Sequence, residues 1–201
     1  MEKPLPKNFL AIIALFFGIT STAQVAYFPR TVFSTDLRED RFVSRWYSRD
    51  LSALKEPSLF EMRKALSYGS YRFLWLRTFH HPVAIRLDLK ADGTGVLTTK
   101  VSSGAGGYDP GALTVNKSRL LTPEQVRSVL EQIKDSSFWS LPVRERDRAG
   151  EDGSEWIFEG VKKDQYHVVS QWSPKEGPIR KIGLLFLTDL AKMDIPKAEL
   201  Y

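Results

Sequence analysis

Three histidines, a cluster of acids and one glycine-rich stretch are the residues of this chain whose types could do chemistry. His80 and His81 are adjacent, and paired histidines can ligate a metal. Neighbours on a strand point to opposite faces, however, and neither a His-x-His nor a His-x3-His spacing is present. Pro82 then marks a strand end or a bend, so the pair reads as structural. His167, between Tyr166 and Val168, has the side chain of a general base, but no serine or acid stands at motif spacing to work with it. Asp147, Glu151, Asp152 and Glu155 fall within nine residues and invite a calcium reading. The Asp-x-Asp-x-Asp-Gly order of a calcium loop is missing, and Arg144, Arg146 and Arg148 offset the charge locally, which favours a solvated loop. The same acids could serve as a glycosidase pair only at a carboxylate separation that sequence does not give.

The stretch 102–111, Ser-Ser-Gly-Ala-Gly-Gly-Tyr-Asp-Pro-Gly, lacks the lysine and the following helix of a phosphate cradle. It reads as a long, mobile connection between strands, with a binding loop around Tyr108 and Asp109 as the sharper alternative. Of the tryptophans Trp46, Trp75, Trp139, Trp156 and Trp172, the last two could form an outward aromatic platform with Tyr166; core filling is the plainer reading. No catalytic residue, cofactor-binding residue or metal ligand is assigned on this basis, and no cofactor is expected.

The elements that must position these residues follow from periodicity. Residues 36–66 read as helical, with Ser34 or Asp36 as N-cap, an apolar stripe of Phe42, Trp46, Leu51 and Leu54, and a stop at Pro57. That stripe either packs on the following sheet or lies on a membrane with Arg45 and Arg49. From Tyr71 the period changes to two. Residues 71–79 are rich in strand formers on both faces and predict a central, doubly covered strand. Residues 83–89 alternate strictly, as in an antiparallel strand with one wet face, and turn at Ala91-Asp92-Gly93 into a partner at 96–101. A short fourth strand is expected at 112–116.

Thr122 and Gln125 form a capping box around Pro123, which predicts a helix over 123–134 with Val126, Val129, Leu130 and Ile133 inside. Phe138-Trp139-Ser140-Leu141-Pro142 reads as an apolar plug, followed by a polar loop over 144–154. A second hairpin over 156–161 and 165–172 and a last helix from Pro178 to about Lys192 complete the chain. The fold class is α+β, an antiparallel β-sheet with helices packed on one face, preceded by an N-terminal helical segment. The domain organisation is 1–23, 24–69 and 70–195.

Ala91-Asp92-Gly93-Thr94, Leu121-Thr122-Pro123-Glu124, Phe138-Trp139-Ser140-Leu141-Pro142 and Gly153-Ser154-Glu155-Trp156 together resemble an uncharacterised family of exported bacterial proteins, across roughly 71–193. The resemblance implies a compact periplasmic or secreted α+β domain and transfers no catalytic residue. The N-terminus agrees: Lys3 and Lys7, an apolar run over 9–19 and the small-x-small Ser21-Thr22-Ala23 make up a signal peptide. The alternative is an uncleaved anchor using 9–28. With no cysteine, the chain uses neither disulfides, thiolate metal sites nor a lipid-modified cysteine. Its net charge of +5 carries no block of like charges, so nucleic acid is not an expected partner.

The resulting expectation is an exported, non-enzymatic binding or interaction domain of the bacterial envelope. Its partner would be an envelope protein or glycan, with peripheral membrane contact as a further possibility. Two alternatives stand beside it: a hydrolase of an envelope polymer using His167, Asp152 and Glu155, and a membrane-tethered structural protein.

Overall fold

The computed structural model describes residues 25–144 and 152–201; the expected signal peptide, and Arg146, Asp147, Arg148 and Glu151 of the acidic loop, lie outside them. Six antiparallel strands form one sheet: β1 (Ser70–Arg77), β2 (Val83–Leu89), β3 (Gly95–Ser102), β4 (Leu113–Leu121), β5 (Ser154–Lys162) and β6 (Gln165–Trp172). Their spatial order is β4-β3-β2-β1-β5-β6. The second hairpin therefore joins the first meander through β5, which pairs with β1 from Ser70↔Val161 to Arg77↔Ser154. This places β1 at the centre, where every one of its residues is buried. The α+β class holds.

One face of the sheet carries Tyr71, Phe73 and Trp75 of β1, Val83, Ile85 and Leu87 of β2, and Trp156 and Phe158 of β5. Two helices cover it. In α3 (Pro123–Asp135) the Thr122 hydroxyl accepts from the Gln125 N–H while the Gln125 side chain accepts from the Thr122 N–H, and Val126, Val129 and Ile133 face inward. Phe138, in a single 3₁₀ turn (Phe138–Ser140), is buried as the expected plug. The last helix, α4 (Pro178–Leu184), passes into a π-helical turn over Leu185–Leu190. It approaches β5 so closely that a Cβ on Gly183 would stand 2.3 Å from the Trp156 indole.

The opposite face is covered by the N-terminal segment, α1 (Leu37–Ala53) and the one-turn α2 (Leu59–Met62). Asp36, not Ser34, is the N-cap of α1, accepting from the N–H groups of Arg38 and Glu39. Leu51 and Leu54 are buried as expected, but the first half of the stripe is set one residue away: Val43 and Tyr47 face the sheet, whereas Phe42 is 69% exposed and Trp46 only half-buried. Asp40 explains the rotation. Its carboxylate is buried and accepts from the N–H groups of Thr31 and Phe33, both at 3.0 Å, so the helix must turn that side inward.

Two further expectations are corrected. The fourth strand runs over Leu113–Leu121, longer than 112–116 and ending at the α3 cap, because it pairs along the whole of β3. Its exposed polar residues Asn116, Lys117, Ser118 and Arg119 hide an edge strand from an apolar pattern. The face of β2 expected to be wet is covered by the turn between α1 and α2.

Beneath that turn lies a network of buried charge. The Arg72 guanidinium donates from Nε to Glu159 Oε2 at 2.8 Å and from Nη1 to the Pro57 carbonyl at 2.7 Å, and reaches Glu56 at 3.3 Å. Glu56 also pairs with Arg86 at 3.1 Å and with Lys100 at 2.9 Å, and Arg86 pairs in turn with Asp88. The Tyr166 hydroxyl donates to the other oxygen of Glu159 at 2.8 Å. Burial pushes the Glu159 carboxyl upward, and the Arg72 charge and hydrogen bonds, with that of Tyr166, pull it back. Three cations thus face three carboxylates, and removing one member strands the others. Arg72→Met should cost roughly 3–5 kcal/mol in urea denaturation; a loss below about 1 kcal/mol would show that the pairs stabilise little.

Candidate functional site

The histidines are dispersed. His80 and His81 sit in the turn after β1 and diverge: His80 Nδ1 lies 2.8 Å from the Tyr201 hydroxyl, whereas His81 Nδ1 donates to the Gly104 carbonyl at 2.8 Å. His167 packs against Phe138 on the α3 face of the sheet and donates from Nε2 to the Leu141 carbonyl at 3.0 Å, with burial lowering its pKa. Glu155 projects from the other face, where it accepts from Ser170 at 2.6 Å, while Ser170 also bonds the Tyr47 hydroxyl at 2.8 Å. Of the three groups of the hydrolase reading, His167, Asp152 and Glu155, the sheet stands between His167 and Glu155. Burial pushes the Glu155 carboxyl up, against the Ser170 hydrogen bond and the Arg144 charge. Trp156 and Trp172 likewise face opposite ways, and Trp156 is fully buried, so they form no platform.

The 102–111 stretch is a laced hairpin tip, not a loose connection. Ser103 and Gly104 donate to the carbonyls of Ala112 and Pro110, and Gly106 and Gly107 donate across to His80 and Thr78. A Cβ at Gly106 would come within 2.8 Å of the Leu76 backbone, which is why glycine is required at this approach. Trp46 of α1 donates from Nε1 to the Gly106 carbonyl at 2.6 Å, tying the tip to the N-terminal segment. Tyr108 stacks on Phe79, and both rings are exposed. Near this tip, Asp50 is wholly buried, pairs with Arg49 at 3.0 Å and leaves Oδ1 without a partner. Burial, with the Asp109 charge adding to it against the Arg49 charge, raises its pKa to about 7.

A large concave site that combines an apolar floor with converging charge lies on the α3 face. It is a groove of about 820 Å³ between α3, the 3₁₀ plug, the start of β1 and the β5–β6 turn. Tyr71, Leu89, Leu130, Phe138 and Trp139 line its floor and walls. Lys90, Arg127, Lys134, Lys162 and Lys163 stand around it with Glu131 as the single acid. Among the described residues none of these five cations forms a salt bridge. The capping box fixes where α3 begins, and Arg127, Leu130 and Lys134, three and four residues apart, then share the stripe that overhangs the groove. Lys162 and Lys163 are presented by the tight β5–β6 turn, in which Lys163 and Asp164 have φ of 48° and 42°. The volume is that of a small-molecule site, and the chemistry suits a ligand with a long apolar part and a negative head.

None of the five cations is singled out by sequence motif. The legible signal was weaker: a lysine pair in a hairpin turn, and basic residues beside the buried stripe of a well-capped helix. Comparison with protein-family models gives no match to this chain, and comparison with curated proteins gives no relative.

Asp50 supplies a pH test of the packing between α1 and the hairpin tip. Its folded-state pKa stands above the unfolded value, so between about pH 4 and 7 the folded state binds the extra proton and stability falls as pH rises through that window. Asp50→Asn should therefore be more stable than the parent by roughly 2–4 kcal/mol at pH 8 and differ little at pH 4. Thermal melts of both proteins across this range read the difference; a pH-independent difference would mean that Asp50 is not a strained acid.

Proposed function

We propose that this chain is an exported, non-enzymatic binding domain whose ligand is a long-chain anionic amphiphile held in the groove beneath α3. The observation that carries the reading is the juxtaposition of an apolar, aromatic floor with one acid and five cations, none in a salt bridge among the described residues, around a cavity of about 820 Å³. An alkyl chain would displace water from Tyr71, Leu130 and Trp139, with roughly 25 cal/mol gained per Å² of apolar surface covered. The anionic head would reach Lys134, Lys162 or Lys163 at the solvent edge, where each contact contributes selectivity more than affinity. Supporting the export part of the reading are the basic start, the apolar run 9–19 and the Ser21-Thr22-Ala23 motif. Separation of His167 from Glu155 by the sheet favours binding over the hydrolase alternative.

Titration calorimetry with dodecanoate below its micelle concentration tests this. Micromolar affinity is expected, with dodecanol and acetate each at least about ten-fold weaker, because one lacks the charge and the other the chain. Leu130→Glu should abolish binding, and Lys134→Glu with Lys162→Glu should weaken it about ten-fold, while both variants keep the parent circular dichroism. Affinity unchanged in Leu130→Glu, or no measurable binding to the parent, would reject the groove as the site.

A further inference from the structure

The outer face of α1 presents a row of arginines of which the fold engages Arg41, through the Leu37 carbonyl, and Arg49, through Asp50. Arg38, Arg41, Arg45 and Arg49 recur at three- and four-residue spacing and are all exposed. The three acids of the same helix do not meet them on the surface. Asp40 is turned inward onto the N–H groups of Thr31 and Phe33, Asp50 is buried, and Glu39 is engaged by Arg144 at 3.0 Å. Of the four arginines only Arg49 has an ion-pair partner among the described residues, the buried Asp50. A stripe of like charges at this spacing disfavours its own helix. Anions supplied from outside would remove that penalty.

Three other features converge on this face. Phe42 and Leu37, the apolar residues of α1 that packing does not bury, are 69% and 59% exposed and flank the arginine stripe. A shallow groove of about 640 Å³ runs along it, lined by Arg30, Arg41, Arg45 and Arg49 together with Val25 and Ala26. Val25, the first described residue, is itself half exposed there. The groove beneath α3 is on the other side of the sheet.

We propose that the arginine face of α1 is the surface with which this domain docks on a bilayer containing anionic phospholipids, headgroup phosphates meeting Arg38, Arg41 and Arg45 while Phe42 and Leu37 enter the interface. Cations near an anionic bilayer each strengthen binding, and aromatic side chains favour the headgroup level. Bound in this way, the domain keeps the α3 groove turned toward water. Among the described residues no helix is long and apolar enough to cross a membrane.

The absence of cysteine gives the test a clean probe, since any introduced thiol is unique. In the full chain, Ser48→Cys on α1 and Ser128→Cys on α3 would carry an environment-sensitive fluorophore, with quenching read from headgroup-labelled lipid in vesicles. In phosphatidylglycerol vesicles the Ser48 probe should be quenched and the Ser128 probe unaffected. Apparent affinity in phosphatidylcholine vesicles, or for Arg38→Glu/Arg41→Glu/Arg45→Glu, should be weaker on the order of 100-fold, and high salt should have the same sense. Equal quenching in the two lipids, quenching at Ser128, or indifference to the charge reversal would overturn the proposal. Such a result would leave dodecanoate binding at the other face untouched.

Discussion

A guanidinium in the middle of a doubly covered strand is the constraint around which the rest is arranged. Arg72 has no exposed surface, and an unpaired charge there would cost several kcal/mol. β1 must therefore lie beside a strand that offers a carboxylate at the right register, and β5 does so through Glu159, directly across from Arg72. That pairing alone leaves Nη1 unsatisfied. The turn at 55–58 closes the site, bringing Glu56 and the Pro57 carbonyl over the face, and with them the carbonyl of Lys55 to which Lys100 donates at 2.6 Å.

From this follows a division of labour between the two faces. The Arg72 side is sealed by α1, α2 and the chain that leads into them, stitched further by Ser58 and Glu61 to the backbone of Ala26. What remains outward on that side is the arginine stripe of α1. The other side has only α3 and α4 to cover three central strands. α4 presses down through Gly183, and the space between α3, the Phe138–Trp139 plug and the β5–β6 turn is the groove. Sealing one face thus leaves the other face to hold a cavity.

How much of this was legible in sequence depends on whether a signal was local. The capping box of α3, the strand at 83–89 and the hairpin at 162–164 are set by neighbours along the chain, and the structure reproduces them. The first half of the α1 stripe was misplaced by one position because its rotation there is set by Asp40 bonding to Thr31 and Phe33, seven to nine residues away and through backbone groups that no pattern records. β4 was read short because an edge strand needs no apolar alternation. The groove was invisible for a different reason: Lys90, Lys134 and Lys162 come from three elements, and only the strand order brings them together. Arg72 was the missed clue. An arginine inside 71–79, a stretch rich in strand formers on both faces, already required buried acids on neighbouring elements.

The central claim is that the face opposite the Arg72 network is the one that receives a ligand. Amide chemical-shift mapping on addition of dodecanoate tests it most directly, because it reports both faces of the sheet at once. The account predicts saturable shifts confined to α3, the Phe138–Ser140 turn, the start of β1 and Lys162–Lys163, with α1 and the 55–58 turn unmoved. Shifts concentrated on α1 or on the glycine-rich hairpin tip, or spread evenly over the molecule, would contradict it.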